Sequence, residues 1–186
     1  MQRDAEATKQ RLIAAGRAEF AAHGMNGARV DRIAEAAQCN KAQIYHYFKS
    51  KAGLFEAVWN SHVEYIVENL PRDAENLPEI AAHLSDIYAQ YPEFPRLLTW
   101  QRLERGDDLP NEQGVEDVRN RSEAIAAAQA KGAVSTRFEA RVLLALVIHI
   151  AMLWEGANPE VLAVVGIDDR EQRREIVRRV TEALVN

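Results

Sequence analysis

Apolar residues recur every three or four positions along almost the whole chain, and no stretch alternates apolar with polar as a half-buried strand does. Ile13, Gly16 and Phe20 fall on one helical face, as do Leu54, Phe55, Val58, His62 and Ile66, and again Ile176, Val180 and Leu184. Proline and glycine punctuate the chain between the periodic segments. An all-α fold is the architecture this pattern permits.

The helix boundaries follow from local signals. The first helix is predicted from about Ala5 to His23, stopped by Gly24, which is free to take positive φ. A second spans about Val30 to Ala37, with Ile33, Ala34 and Ala37 inward, and a third Lys41 to about Phe48. Ser50 caps a long fourth helix that ends before Pro71. Asn76-x-x-Glu79, Thr136-x-x-Glu139 and Asp168-x-x-Glu171 have capping-box spacing and are expected to open three later helices, the middle one reaching about Trp154. Pro92 and Pro95 are expected to break the chain before "RLLTWQRLERG".

With 186 residues, 47% of them hydrophobic and 27% charged, the chain has material for one large domain or two modest ones. No apolar run approaches the roughly 20 residues that cross a bilayer, and "MQRDAEATKQR" lacks a signal-peptide core, so no membrane partner and a cytoplasmic location are expected. Cys39 stands alone, which excludes an internal disulfide and argues against a thiolate metal site. The five histidines make no i, i+4 pair, and neither metal nor cofactor is expected. Net charge is −5, yet residues 1–62 carry nine Lys and Arg against six Asp and Glu, while the rest is strongly acidic. That division suggests two parts with different partners.

The most informative stretch is "RIAEAAQCNKAQIYHYFKSK", Arg32 to Lys51. Two short amphipathic pieces flank the turn Gln38-Cys39-Asn40, with small Ala34 where they must approach, the pattern of a helix-turn-helix. Ile33, Ala37, Cys39, Ile44 and Phe48 supply an inner surface and leave Lys41, Gln43, Tyr45, His46 and Tyr47 around the outer side. A helix of this length spans roughly 12 Å, about the width of the DNA major groove. Lys41 suits a guanine edge or a phosphate, Gln43 an adenine edge, and Ala42 a thymine methyl. Gln43 also stands three residues after Asn40, so its side chain has a rival task in capping the helix. Cys39 is expected as a small core residue rather than a redox sensor.

Across about residues 8–58 the chain resembles the tetracycline-repressor (TetR) family of one-component transcriptional regulators. "LIAAGRAEFAAHG" is similar to its first helix, and "VDRIAEAAQCNKAQIYHYFKSKAGLFEAV" to its helix-turn-helix and the start of its fourth helix. The turn departs from the family's usual Gly-Val-Ser, and Arg29 stands where the family commonly has Thr. The resemblance implies that Arg29, Tyr47 and Lys51 hold phosphates and that Lys41, Ala42, Gln43, Tyr45 and His46 face the groove. It implies a DNA-binding head over residues 1–50 and a ligand-sensing, dimerising helical domain over 51–186, with an operator and a second copy of the chain as partners.

For the second domain the resemblance implies that the last two long helices build a four-helix bundle with the partner subunit. Val142, Leu146, Ile150 and Leu153 on one, and Ile176, Val177, Val180 and Leu184 on the other, are the expected interface. The alternative is that both helices only close one monomer's core. An apolar or amphipathic effector, not identified by the sequence, is expected among the aromatic-rich helices, with His62, Tyr88, Tyr91, Phe94, Leu98, Trp100, His149 and Trp154 as candidate contacts. No Ser/His/Asp or metal constellation stands out, so no catalytic residue is assigned and an enzyme is not expected. A helical protein–protein adaptor, or a ligand-binding protein without sequence-specific DNA binding, remains the alternative.

Overall fold

The computed structural model describes residues 2–105 and 111–186, and every regular element among them is a helix. These are α1 (Gln2–Gly27), α2 (Val30–Ala36), α3 (Lys41–Phe48), α4 (Lys51–Asn69), α5 (Leu77–Gln90), α6 (Glu93–Arg105), α7 (Glu112–Ala130), α8 (Ala140–Ala151), α9 (Leu153–Gly156), α10 (Pro159–Val165) and α11 (Arg170–Val185). No helix among the described residues is long and apolar enough to cross a membrane. The described residues of Met1–Tyr65 and Glu93–Asn111 form one compact unit, and those of Ile66–Pro92 and Glu112–Asn186 a second.

The first unit is built on the apolar faces of α1 to α4. Leu12, Phe20, Ile33, Ile44, Leu54, Phe55 and Val58 are almost fully buried, and α6 adds Leu97. Each such side chain contributes roughly 1.5–3 kcal/mol by leaving water. Phe20 and Phe55 meet edge to face at 5.2 Å. Helical angles in α1 stop at Gly24, where φ is 67° and a Cβ would stand 2.7 Å from the Trp100 ring, so both angle and space require glycine. Gly53 answers a different need: a Cβ there would lie 2.1 Å from the Phe48 carbonyl oxygen, which bends back over the start of α4.

Helix α6 joins this unit through its first turn and its far end. Pro95 sits within the first turn of α6 and does not break it, contrary to the sequence expectation, because no N–H is needed there. Further along, the Trp100 indole donates to the Ala21 carbonyl at 3.2 Å. Glu104 accepts from the backbone N–H groups of Met25 at 2.5 Å and Asn26 at 3.1 Å.

In the second unit, α5 buries Leu77, Ile80, Leu84 and Ile87 against α8 and α11. Arg174 on α11 pairs with Asp86 at 2.9 Å and with Glu79. That second pairing corrects the expected capping box at Asn76-x-x-Glu79. Asn76 occupies the N-cap without a side-chain bond, Pro78 removes a donor, and the Glu79 carboxylate is taken by Arg174. Two further capping boxes also need correction. Helix α8 begins at Ala140, not near Thr136, with Glu139 bonded to Arg141 instead of to the backbone. For α11 the N-cap is Asp169, one residue later than expected, and its carboxylate accepts from the Gln172 N–H at 2.7 Å. The apolar run to Trp154 divides at Met152 into α8 and α9. Periodicity does not announce α7 or α10, α7 being polar over most of its length.

Candidate nucleic-acid interface

Helix α3 is held on the first unit by two devices. On its inner side Ile44 and Phe48 are buried in the core shared with Ile33 and Ala37 of the preceding helix and turn. At its start Asn40 accepts from the Ala42 N–H at 2.8 Å while the Gln43 side-chain oxygen accepts from the Asn40 N–H at 3.1 Å. The capping box that competes for Gln43 is therefore formed. It occupies the oxygen of Gln43, leaving the N–H₂ end of that amide as the part able to address a base edge. Gln38 adopts φ 53°, so the turn keeps a left-handed angle without a glycine, at a cost of about 1 kcal/mol that the Cys39 N–H to Ala34 carbonyl bond (2.9 Å) helps offset. Cys39 is half-buried, less enclosed than expected; Arg11 approaches its sulfur at 3.9 Å, and its thiol donates to the Ala37 carbonyl at 3.2 Å.

The outer side of α3 carries the side chains singled out from sequence. Lys41, Ala42, Tyr45 and His46 are exposed, Gln43 and Tyr47 half-buried. Lys41 is paired with Asp31 of α2 at 2.9 Å, a partner the sequence does not announce, and this hydrogen-bonded carboxylate raises the lysine's pKa. The His46 and Tyr47 rings pack edge to face at 5.1 Å. Lys49 ends the helix with φ 68°, and its ammonium donates to the His46 carbonyl.

Lys51 and Arg29 lie beside the turn between α1 and α2. The Lys51 ammonium donates to the Ala28 carbonyl at 3.1 Å and to that of Asn26 at 3.5 Å, so it braces the turn as well as adding charge. Arg29 is the exposed N-cap of α2, and its backbone N–H donates to Glu19 at 2.8 Å. Glu19 also takes the Arg32 fork, which locks α1 to α2. No local pattern announces Glu19 or Glu104, because their partners lie ten to 79 positions away.

The candidate effector contacts separate between the units. His62, Phe94, Leu98 and Trp100 belong to the first, Tyr88, Tyr91, His149 and Trp154 to the second. His62 is buried with its ring centroid 4.0 Å from that of Phe94, and burial together with nearby Arg17 pushes its pKa down to about 4. Tyr88 is buried too, and burial with the charge of Glu155 raises its pKa to about 12. Trp154 donates to the Arg173 carbonyl at 3.2 Å. His149 is exposed, and its Nδ1 bonds to the Ala145 carbonyl.

Of the expected dimer face, Val142, Leu153 and Val180 are exposed, and Leu146, Ile150, Ile176 and Leu184 half-buried. Val177 is the exception. It is fully buried in its own protomer, one position off the exposed stripe of α11, and cannot meet a partner.

Known proteins share this arrangement. Residues 12–58 match the family model described as bacterial regulatory proteins, tetR family, and residues 76–183 the one described as tetracyclin repressor-like, C-terminal domain. The HTH-type transcriptional repressor SCO4008 of Streptomyces coelicolor is 33% identical over 189 residues, covering 97% of this chain and 98% of that one. The crystal structure of the transcriptional regulator SCO4942, also from Streptomyces coelicolor, superposes with a TM-score of 0.86 at 34% identity, covering 96% of this chain and 98% of that one. AibR, solved in complex with isovaleryl coenzyme A and operator DNA, shares the fold at a TM-score of 0.66 and 16% identity, covering 92% of this chain and 96% of AibR. This chain belongs to the TetR family of bacterial regulatory proteins.

Proposed function

We propose that the chain is a one-component transcriptional repressor that binds a pseudopalindromic operator as a homodimer and loses or gains DNA affinity when a small apolar or amphipathic effector binds. The observation that carries this reading is the capped, rigidly seated α3, with Ile44 and Phe48 inward and Lys41, Ala42, Tyr45 and His46 outward. Residues 1–50 read DNA, and residues 51–186 dimerise and sense the effector. Lys41 addresses a guanine edge or a phosphate, the amide N–H₂ of Gln43, Ala42, Tyr45 and His46 address base edges, and Arg29, Tyr47 and Lys51 set register on phosphates. The apolar stripe of Val142, Leu146, Ile150 and Leu153 with Ile176, Val180 and Leu184 supports a dimer, which groove reading favours: two heads roughly 34–36 Å apart meet successive turns of one DNA face. The name of SCO4008 supports repression, and the AibR complex supports an effector alongside DNA. Effector control requires that its affinity differ between the DNA-bound and free states.

Selection from random double-stranded oligonucleotides by the purified protein tests this reading, followed by a salt titration on the enriched sequence. A two-fold-symmetric site whose affinity falls steeply with salt is expected. Absence of any enriched sequence, with equal weak binding to all DNA, would turn the assignment towards an adaptor.

A further inference from the structure

Among the described residues, two of the clefts on the second unit differ in charge. The larger, about 210 Å³, lies by α5, Trp154 and the start of α11, where Arg170, Arg173 and Arg174 face Asp86, Glu155 and Asp168. Its arginines are matched by carboxylates, and its salt bridges already join Arg174 and Arg170 to Asp86 and Arg173 to Asp168. Nothing there selects a charged ligand.

The second cleft, about 160 Å³, lies among the connection before α5, α5 itself, α7 and α8. Leu77, Ile80, Ile125 and Leu144 give it apolar walls, and its polar lining is Arg72, Asn120 and Arg121. Arg121 is buried and committed: it bonds Asp117 at 2.6 Å and the carbonyls of Pro71 and Leu70 at 2.7 and 3.1 Å. That pairing neutralises Asp117. Arg72 is a second guanidinium beside the same carboxylate, 3.2 Å from Oδ1, but not aligned as a hydrogen bond. Two arginines thus share one carboxylate, and one positive charge is left over at the exposed side of a cleft whose walls are mainly apolar.

We infer that this cleft binds a small organic carboxylate, with Arg72 holding the headgroup and Leu77, Ile80, Ile125 and Leu144 the tail. A cavity of about 150 Å³ accommodates a benzene-sized group, so the tail is about six carbons long. A cationic ligand would meet Arg72 as a like charge, and an uncharged one would leave the surplus charge unanswered. Calling the cleft an effector site rests on the regulator reading, whereas binding itself does not. The link to function is Arg121, which grips carbonyls just beyond the end of α4, the helix that starts at Lys51. A headgroup that draws Arg72 away from Asp117 alters the carboxylate that orients Arg121.

Calorimetric titration of the full chain with hexanoate, hexan-1-ol and hexylamine tests the inference. Hexanoate is expected to bind about tenfold or more tightly than the alcohol or the amine, the worth of a hydrogen bond to a charged group. Arg72→Gln should lower hexanoate to the level of the alcohol without shifting the unfolding temperature, and Ala124→Phe, which fills the cleft from its rim, should abolish binding of both. Equal affinity for hexanoate and hexan-1-ol, or hexanoate binding indifferent to Arg72→Gln, overturns the inference. So does a protein that binds its selected operator but takes up no hexanoate at millimolar concentration. Hexanoate binding with these dependences in a protein that enriches no operator sustains the cleft and removes the regulator reading instead.

Discussion

The Lys41 ammonium at the start of α3 lies 2.9 Å from the Asp31 carboxylate on α2, so a candidate base-reading cation is already paired when DNA is absent. Both side chains are largely exposed, and water screens the pair enough that it adds little to stability. Its consequence falls on DNA approach, where Asp31 competes with phosphate and base edges for the lysine. Asp31→Asn should therefore raise affinity for all DNA sequences and steepen the dependence of log K on log salt by about one. Fluorescence anisotropy between 50 and 200 mM salt, on the order of the range where such slopes are read, measures both. An unchanged slope would mean that Lys41 meets no phosphate.

Gln43 has one amide with two ends, and the two proposed tasks use different ends. Its oxygen caps Asn40 N–H, while base reading needs its N–H₂. Gln43→Glu keeps the capping oxygen and adds a favourable negative charge in the first turn of α3, but donates nothing. Thermal stability should stay within about 0.5 kcal/mol of the parent. Base preference at one position per half-site should shift away from adenine, towards cytosine, whose amino group a carboxylate accepts. Repeating the oligonucleotide selection with the variant reads the shift, and an unaltered preference would confine Gln43 to the cap.

What the sequence made legible is local. The spacing of Ile33, Ala37, Ile44 and Phe48 and the Asn40–Gln43 cap depend on residues within about one helical turn or on the same short motif. What it hid depends on distant partners. Asn76-x-x-Glu79 has the right spacing for a cap, but Arg174, 95 positions away from Glu79, takes its carboxylate. Ile176, Val180 and Leu184 form the half-buried to exposed stripe of α11, while neighbouring Val177 turns into the core, a difference of about 100° that composition does not reveal. The aromatic candidates for an effector site share a residue type and nearness in sequence, and the fold divides them between two units.

Glu104 holds the turn after Gly24 by accepting two successive backbone N–H groups, those of Met25 and Asn26. Glu104→Ala leaves both without that acceptor, and Met25 is half-buried, so a loss of about 1–2 kcal/mol is expected in denaturant unfolding. Hydrogen exchange offers the sharper test. The amides of Met25 and Asn26 should lose protection in the variant while those in the middle of α4 keep it. Uniform loss would instead mean that Glu104 supports the whole unit and not this turn.

His62 gives the first unit a pH dependence of defined sign. Its folded pKa is pushed down to about 4 by burial against Phe94 and by Arg17, whereas in the unfolded chain it titrates near 6.5. Between these values the unfolded state binds the extra proton, so stability is full above about pH 6.5 and falls as pH drops towards 4. The loss attributable to this group approaches about 3 kcal/mol, since a tenfold difference in proton affinity between the folded and unfolded chain corresponds to about 1.36 kcal/mol. Carboxylates titrate over the lower part of the same window, so the quantity to read is the difference between the parent and His62→Leu in unfolding free energy at about pH 7 and about pH 4.5. That difference should move by about 2–3 kcal/mol in favour of the variant on acidification. A constant difference would mean that His62 takes up its proton in the folded chain as readily as in the unfolded one, and that the ring is hydrated rather than sealed against Phe94.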